Sequence, residues 1–373
     1  MPEISYTRVN DNTPVLVGCA QLTDKRGVEG HNYLEILTEV SNKALIDCEA
    51  SKDFRQEIDT VGVIRFVADT PQRDSATSDL WGYPNMPRSL ARSLGFNAKN
   101  EIYTTTGGNS PQIAINELAN RIKDKQIECA LLSGGEALDT FVTRLKDGLE
   151  VNWSDEPGGE PEIIGKSEDG TNDHEKIHGI FNPSSVYPLF ANSLRGLNNQ
   201  TVQEHMNDTG ELFERFSKVA SKNKYSWFPI HRSAEEIALT QPENRMIGLP
   251  YTKYMNSIMR VNQSCALILM SAKKARELGI PTSKWVFMYA GACINDIWNV
   301  SDRVDYSSSP AIKACSDNVF ELADVKIEEL NFIDLYSCFP SAVQIAMKEL
   351  ELSKDDPRGL TAVSYTHLTL PTS

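Results

Sequence analysis

The stretch EIYTTTGGNSPQIAINEL, from Glu101 to Leu118, decides how this chain folds. The residues from Glu101 to Thr106 are rich in β-branched and aromatic side chains, which favour a strand. Gly107 and Gly108 permit a tight turn, and Ser110 and Pro111 suit the start of a helix as its N-cap and first helical residue. The pattern therefore predicts a strand, a Gly-rich turn and a helix in direct succession.

The helix that follows this turn has one apolar face. Its apolar residues Ile113, Ala114, Leu118 and Ile122 recur at helical spacing. A helix that starts directly after a turn points unpaired backbone N–H groups at the space in front of it, and these groups attract an anion or a developing oxyanion. We therefore predict a substrate-binding turn. It is made of Gly107, Gly108, Asn109 and Ser110.

The composition of the chain excludes several classes of function. Its 373 residues are 40% hydrophobic and 24% charged, which is typical of a soluble globular protein. A formal net charge of −14 argues against nucleic acids and membrane surfaces as partners, because both are anionic. The apolar run at 265–270 is too short to cross a bilayer, and the N-terminus lacks the pattern of a signal peptide. The seven cysteines are scattered and form no CxxC pair, which predicts a cytoplasmic protein without a cysteine zinc site.

Strand and helix patterns alternate along the first part of the chain. The expected strands are 14–20, 58–67 and 128–133, and the expected helices are 34–48 and 87–94. Such alternation predicts an α/β fold with right-handed crossovers. Residues 140–255 differ, because they are rich in Gly, Pro, Asn and charge, and we interpret them as an inserted loop or cap domain.

The α/β pattern resumes after this insert. A strand is expected at 261–270, so the first half of the fold is assigned to 1–139 and 256–281. The second half, 282–362, has expected strands at 284–294 and 330–335 and a helix at 341–350. The sequence QIAMKEL at 344–350 is similar to QIAINEL at 112–118, which indicates two halves of similar plan.

The last residues of the chain do not continue this pattern. The segment VSYTHLTLPTS at 363–373 matches an in-frame translation of a sequencing adapter. We interpret this tail as an artefact and exclude it from fold reasoning. The second half of the fold is therefore expected to be truncated near Ala362.

Five segments carry a resemblance to a known family. They are PVLVG at 14–18, the strand–GGNSP–helix segment, NRMIGLPYTKYM at 244–255, VNQSCALIL at 261–269 and DLYSCF at 334–339. With these segments the chain resembles the thiolase superfamily, in a branch near the sterol-carrier-protein-type thiolases. The resemblance implies a layered αβαβα fold of two βαβαβαββ halves, an inserted loop domain, and a dimer or tetramer. It also implies an acetyl-CoA C-acyltransferase activity in lipid metabolism, with CoA or acyl-CoA as ligand and no separate cofactor or metal.

The chain departs from that family at its chemical centre. Thiolases form a thioester on a cysteine where this strand meets this helix, and the resemblance places Gly107 in that position. The sterol-carrier type has a His-Asp-Cys-Phe motif, which reads Tyr336-Ser337-Cys338-Phe339 here. The resemblance implies an acid/base role for Cys338, while Tyr336 replaces a histidine that helps to hold an oxyanion-hole water.

Each of these candidates also has a structural interpretation. Cys338 precedes a helix, whose dipole favours a thiolate, but a free cysteine is usually a buried core residue. Tyr336 is either an oxyanion donor or a packing residue, and packing is the more common role. Ser110 is either a substitute nucleophile or an N-cap, and capping accounts for it fully.

One formal metal motif competes with this site. The sequence His174-Glu175-Lys176-Ile177-His178 fits HExxH, a zinc-hydrolase pattern that needs both imidazoles on one face of a stable helix. Gly170 before the motif and Gly179 and Pro183 after it argue against such a helix. We therefore interpret the motif as a solvated loop segment.

Two main function hypotheses follow. The first is an acyl-CoA-handling protein of acyltransferase ancestry, in which the Gly107 turn binds the thioester carbonyl. The second is a non-catalytic CoA-binding, acyl-CoA-binding or scaffold protein, and a zinc hydrolase is a distant third. Basic residues of the insert are candidates for the phosphates of CoA, or else solvated surface residues. They are Arg144, Lys146, Arg195, Arg215, Lys218, Lys222, Lys224 and Lys253.

Overall fold

The structure is a computed structural model of the chain, and it describes residues 9–69, 82–166, 168 and 170–361. The chain divides into two units. Unit 1 comprises Met1–Ser167 and Val261–Gly291, and unit 2 comprises Glu168–Arg260 and Ala292–Ser373. The predicted domain boundaries at 139, 255 and 281 remain a prediction, and the predicted artefact at 363–373 lies outside the described residues.

Unit 1 is built around a seven-stranded sheet with the order β5-β3-β2-β4-β8-β1-β9. The strands of the chain are β1 (Pro14–Thr23), β2 (Thr60–Ile64), β3 (Asn100–Thr104), β4 (Cys129–Ala137), β5 (Glu162–Ile164), β6 (Met246–Gly248), β7 (Tyr251–Thr252), β8 (Asn262–Ser271) and β9 (Val286–Phe287). Strands β5, β3, β2 and β4 are parallel neighbours, whereas β8 is antiparallel to both β4 and β1. Pro14 lies opposite Ser271 and Cys129 lies opposite Met270, so β8 joins the two parts of the sheet.

Helices cover both faces of this sheet. The helices of unit 1 are α1 (Tyr33–Asp47), α2 (Met86–Ser93), α3 (Ser110–Lys123), α4 (Leu138–Lys146) and α9 (Ala272–Glu277). The buried side chains of α1 and α2 share one core with inward-facing residues such as Val61 and Ile268, while Leu118 and Ile122 of α3 pack with Leu132 in another. Burial of these apolar surfaces is the main force that holds the layers together. The structure therefore confirms the predicted α/β class.

Local sequence signals explain where several helices begin. Asn32 accepts a hydrogen bond from the backbone N–H of Glu35, and the Glu35 carboxylate accepts one from the N–H of Asn32. This reciprocal capping box satisfies two donors that the first turn of α1 leaves unpaired. Thr201 and Glu204 form the same arrangement before α7 of unit 2.

Unit 2 is mainly helical. Its helices are α5 (Asp173–Ile177), α6 (Pro183–Leu197), α7 (Val202–Ala220), α8 (Ala234–Ala238), α10 (Pro310–Ala323) and α11 (Pro340–Glu349), and β6 pairs with β7. Phe213, Phe216, Tyr251 and Val343 lie at the centre of its largest apolar cluster. Asn244 anchors the approach to β6, because its amide donates to three carbonyls between Glu236 and Leu239.

Two predicted strands of the second half differ in the structure. The strand expected at 284–294 is limited to Val286–Phe287. The strand expected at 330–335 is absent, although Ile333 and Leu335 are buried and Phe332 is 82% exposed, as alternation requires. Alternation alone does not make a strand, because the backbone also needs a neighbour. Within the described residues, this segment makes one backbone hydrogen bond to a part of the chain distant in sequence, from the N–H of Leu335 to the carbonyl of Leu360.

Candidate functional site

The Gly107 turn, which comprises residues 105–109, connects the end of β3 to the start of α3 in unit 1. The N–H of Thr105 donates to the carbonyl of Ile164, and the N–H of Ser110 donates to the carbonyl of Gly107 at 3.1 Å. The strand, turn and helix thus follow one another as predicted. The predicted N-cap is wrong by one residue, because Asn109 occupies that position and Ser110 is the first helical residue.

Ser110 supports the turn in a different way. Its hydroxyl donates to the carbonyl oxygen of Thr105 at 2.7 Å, and its side chain is buried. This hydrogen bond links the first residue of α3 to the first residue of the turn. A hydroxyl that donates to a backbone carbonyl has no base beside it to remove its proton, which argues against Ser110 as a nucleophile.

Two backbone N–H groups of the turn remain available. Among the described residues, the N–H groups of Gly108 and Asn109 have no hydrogen-bond acceptor, and both residues are exposed. These donors lie at the N-terminal end of α3, where the helix dipole favours a negative charge. The geometry therefore suits a carbonyl oxygen that gains charge.

Gly107 itself leaves room for a side chain. A Cβ built on Gly107 would lie 3.0 Å from Oδ1 of Asn109 and 3.2 Å from Oγ of Ser110, and its φ is not in the left-handed region. The exposed Asn109 side chain can move by a few tenths of an ångström, whereas the buried Ser110 Oγ is held by its hydrogen bond to Thr105, so a new Cβ must fit against it. The backbone conformation therefore accepts an L-residue at Gly107, the position that the resemblance assigns to the cysteine of the family.

Cys338 lies in unit 2, two residues before α11. The residue is 8% exposed, and its Sγ donates to the hydroxyl of Tyr187 at 3.3 Å. Ser257 fixes the backbone here, because its hydroxyl donates to the carbonyl of Cys338 at 2.6 Å. The cysteine is thus held by contacts from two other parts of the unit.

Of the two interpretations of Cys338, a thiolate or a buried cysteine, the structure favours the buried cysteine. Burial raises the pKa of the Cys338 thiol to about 11, although hydrogen bonds with Tyr187 and with the backbone of Phe339 lower it in part. Desolvation of a charged group costs more here than the start of α11 returns. Cys338 is therefore protonated at neutral pH.

Tyr336 is not a packed core residue. It is 59% exposed, which excludes the packing interpretation that the sequence favoured. Its hydroxyl is close enough to the thiol of Cys338 to form a hydrogen bond that lowers the pKa of that thiol. The structure therefore brings Tyr336 and Cys338 together.

Sequence reasoning missed Tyr187 and Tyr251. The ring of Tyr187, in α6, stacks on Phe339 with centroids 4.2 Å apart and planes 11° apart. The hydroxyl of Tyr251 accepts a hydrogen bond from the backbone N–H of Ser341 at 3.2 Å, in the first turn of α11. Tyr251 stands in the segment 244–255 that carries the family resemblance, but nothing in the sequence pattern singles out Tyr187.

The HExxH sequence forms a short capped helix. Helix α5 has five residues, and the rings of His174 and His178 meet edge to face at 4.8 Å. The Glu175 carboxylate accepts from the N–H of Asn172 at 2.9 Å and of Ser301 at 2.7 Å, so it is a structural cap. The described residues contain no group of three or more His, Cys, Asp or Glu side chains that could hold a metal ion.

Several basic candidates of the insert are already engaged. The guanidinium of Arg144 donates to the carbonyls of Glu150 and Val28, and that of Arg195 donates to the carbonyl of Gln200. Arg215 bonds the carbonyl of Lys354. These three guanidinium groups therefore bond backbone carbonyls, and whether they also contact CoA phosphates stays a prediction.

Comparison with known proteins places the chain in a family. It is 30% identical to the solved structure of a monomeric SCP2-thiolase-like protein type 1 from Mycobacterium smegmatis, with a TM-score of 0.78 over 96% of this chain and 68% of that one. It also resembles an acetyl-CoA acetyltransferase from Syntrophomonas wolfei in fold, at 14% identity and a TM-score of 0.62 over 96% of this chain and 89% of that one. The chain belongs to the SCP2-thiolase-like proteins of the thiolase superfamily.

Two further findings define how far this similarity reaches. The chain is 22% identical over 249 residues to an acetyl-CoA acetyltransferase from Methanocaldococcus jannaschii, a match over 64% of this chain and 60% of that relative. The chain therefore matches less than two thirds of that curated relative's length. No protein-family model matches the chain.

Within the described residues, no helix combines the length and the apolar character that a membrane crossing requires.

Proposed function

We propose that this chain handles acyl-CoA thioesters as a thiolase-type acyltransferase homologue. The observation that carries this proposal is the Gly107 turn, in which the N–H groups of Gly108 and Asn109 have no acceptor among the described residues. These N–H groups would stabilise the thioester carbonyl oxygen as it gains negative charge. Gly107, Gly108, Asn109 and Ser110 are thus the proposed substrate-binding residues.

Cys338 and Tyr336 are the proposed catalytic residues. A thiol that is protonated at neutral pH can give its proton to a carbanion or enolate formed next to a thioester carbonyl, and its thiolate can take that proton back. Gly107 carries no thiol, so the chain cannot form the acyl-cysteine that a thiolase forms at this position. We therefore expect proton transfer at the α-carbon of an acyl-CoA, without a covalent intermediate at the turn.

A second candidate is non-catalytic binding of CoA or acyl-CoA. It is favoured by two observations, the absence of a thiol at Gly107 and the raised pKa of Cys338. In this function the turn would bind the thioester and the chain would act as a carrier or scaffold. Exchange of the α-protons of acetyl-CoA for deuterium separates the two candidates, since only the first requires it.

The cellular setting and assembly are also proposals. We propose a cytoplasmic protein of lipid metabolism that forms a dimer or tetramer. The M. smegmatis relative is described as monomeric, so the assembly of this chain needs its own measurement. Light scattering after size exclusion would give the mass directly, and a mass of one chain would contradict self-association.

Calorimetry with CoA, acetyl-CoA and acetoacetyl-CoA tests the proposed function. We expect saturable heat with each ligand that weakens with added salt, because phosphate contacts are screened. A charge reversal of the exposed Lys218 and Lys222 should weaken CoA binding if these residues hold its phosphates, while the same change at Lys125 of unit 1 serves as a control. No heat at millimolar ligand would contradict both candidates.

A further inference from the structure

We infer that Tyr187 is a positioning residue for Cys338. The hydroxyl of Tyr187 accepts a hydrogen bond from the Cys338 thiol and donates one to the thiolate. The inference deepens the proposed function, because it rests on Cys338 as the group that moves a proton. Its starting observation is the 3.3 Å distance between Cys338 Sγ and the Tyr187 oxygen. A phenol hydroxyl can serve both states, because it carries one donor and two acceptor lone pairs.

The position of Tyr187 is fixed by its surroundings. Its ring stacks on Phe339, the residue next to Cys338, and its backbone carbonyl accepts a hydrogen bond from the hydroxyl of Ser341. The ring therefore has little freedom to turn away from the sulfur. Burial also raises the pKa of Tyr187 well above its usual range, so its hydroxyl keeps its own proton while Cys338 changes state.

Two other tyrosines near the thiol keep their protons at physiological pH, because burial raises the pKa of Tyr336 and of Tyr251. Tyr336 offers a second hydroxyl to Cys338, whereas the hydroxyl of Tyr251 is engaged by the N–H of Ser341. Hydrogen bonds from neutral hydroxyls and the first turn of α11 must therefore stabilise the thiolate. Among the described residues, Tyr187 of α6 contacts the Cys338 thiol directly, with 3.3 Å between its hydroxyl oxygen and Sγ.

The proton inventory of the step is simple. When the enzyme acts as an acid, the S–H bond of Cys338 breaks, the proton bonds to the substrate carbon, and the electron pair stays on sulfur. The Tyr187 O–H then rotates to donate to the thiolate, with its own O–H bond intact. In the reverse direction the thiolate takes a proton from carbon, and the hydroxyl returns to accepting from the S–H.

The experiment measures ionisation of Cys338 in the ligand-free protein, so that it does not depend on acyl-CoA binding. The protein carries cysteine labelled with ¹³C at Cβ, whose chemical shift reports thiolate. Peptide mapping separately follows the rate at which iodoacetamide alkylates Cys338 between pH 8 and 9.5. Tyr187→Phe keeps the ring and its stacking on Phe339, and Tyr251→Phe is the matched control in the same cluster.

We expect Tyr187→Phe to raise the pKa of Cys338 by about one to two pH units, the effect of one hydrogen bond to a charged group. In Tyr187→Phe, alkylation of Cys338 should slow about tenfold or more, and its thiolate signal at pH 10.5 should fall. Tyr251→Phe should change neither the alkylation rate nor the thiolate signal by more than about twofold. An unchanged thiolate signal would overturn the inference. Slower alkylation without a change in that signal would mean that only the access of iodoacetamide to Cys338 had changed.

A second substitution covers the case in which Tyr187→Phe does not fold. Replacement of Tyr187 by 3-fluorotyrosine keeps the shape and makes the phenol a stronger donor. The pKa of Cys338 should then fall, and an unchanged value would also overturn the inference. If either result supports Tyr187 but acetyl-CoA gives no heat, the proposed function fails while the hydrogen-bonded pair stands.

Discussion

The hydroxyl of Ser110 donates a hydrogen bond to the carbonyl oxygen of Thr105 at 2.7 Å, and this bond closes the Gly107 turn. Because Ser110 is buried, no water replaces the bond if the hydroxyl is removed. We expect Ser110→Ala to lower the free energy of unfolding by about 1–2 kcal/mol, measured by urea denaturation. Ser221→Ala removes an exposed hydroxyl bond to the carbonyl of Lys218 and should change it by less than about 0.5 kcal/mol. Equal effects of the two substitutions would contradict a special role for Ser110.

A cysteine at Gly107 should restore a reactive thiol. The site accepts a Cβ, and it lies at the N-terminal end of α3. The helix dipole should lower the pKa of the new thiol, so Gly107→Cys should alkylate at least about tenfold faster than Cys338 at pH 7.5. It should also accept an acyl group from acetyl-CoA, which intact mass would detect.

The matched variant for this test is Ser221→Cys, at the C-cap of α7. There the helix dipole disfavours a thiolate, so this thiol should react more slowly than the one at residue 107. If the thiol at 107 is no more reactive than the one at 221, our placement of the site at the Gly107 turn is wrong.

Removal of metal should not affect the protein. Because the Glu175 carboxylate caps α5 and accepts from the N–H of Ser301, we expect EDTA to leave the melting temperature unchanged. Glu175→Gln should cost about 1–3 kcal/mol through the loss of charge-assisted hydrogen bonds. The exposed Glu235→Gln in α8 is the control. A lower melting temperature in EDTA that zinc restores would support the metal interpretation.

We expect acid to lower the stability of unit 1 by protonating the Asp24 carboxylate. Burial raises the pKa of this carboxyl, but hydrogen bonds from Arg26 and His31 outweigh it and hold the pKa well below its usual range. A carboxyl whose pKa is lowered by folding stabilises the folded state at pH values above its pKa in the unfolded chain, which is about 3.9 for Asp. This stabilisation is lost as the pH falls below that value. Asp24→Asn should therefore destabilise the protein by about 2–4 kcal/mol at pH 7 and by clearly less at pH 3.

Asp53→Asn is the control for this effect. The Asp53 side chain is 65% exposed and pairs with Arg55 at 2.7 Å, and exposed ion pairs contribute about 0–1 kcal/mol. Urea denaturation at pH 7 and pH 3 measures both variants. A loss at Asp24 that is the same at both pH values would show that the charge is not what stabilises this region.

The first half of the fold could be predicted from sequence because its signals are local. The strand at 100–104 and the helix at 110–123 are fixed by β-branched residues, glycines and a proline within one short stretch. The segment at 330–335 shows alternating burial but has no neighbouring strand in the described part of the chain. Strand pairing is set by distant residues, and a local pattern does not contain that information.

The candidate site was predictable only in part, for a similar reason. The turn between β3 and α3 is a local feature and lies where the sequence predicts it, while its role in substrate binding stays a prediction. The sequence left the state of Cys338 open, because that state depends on burial by residues such as Tyr187 that are remote in sequence. The dipole of α11 favours a thiolate, but desolvation outweighs it for a group that is 8% exposed.

The pairing of β1 with β8 also has a consequence for synthesis. Both described neighbours of β1, which are β8 and β9, are strands of residues 262–287. The ribosome must therefore add roughly 240 residues after β1 before that strand can pair, which takes about 12–50 s at typical elongation rates. During this interval the backbone of PVLVGCA lacks both of its described sheet partners, and a chaperone that shields extended apolar segments would find a target in β1 of the nascent chain.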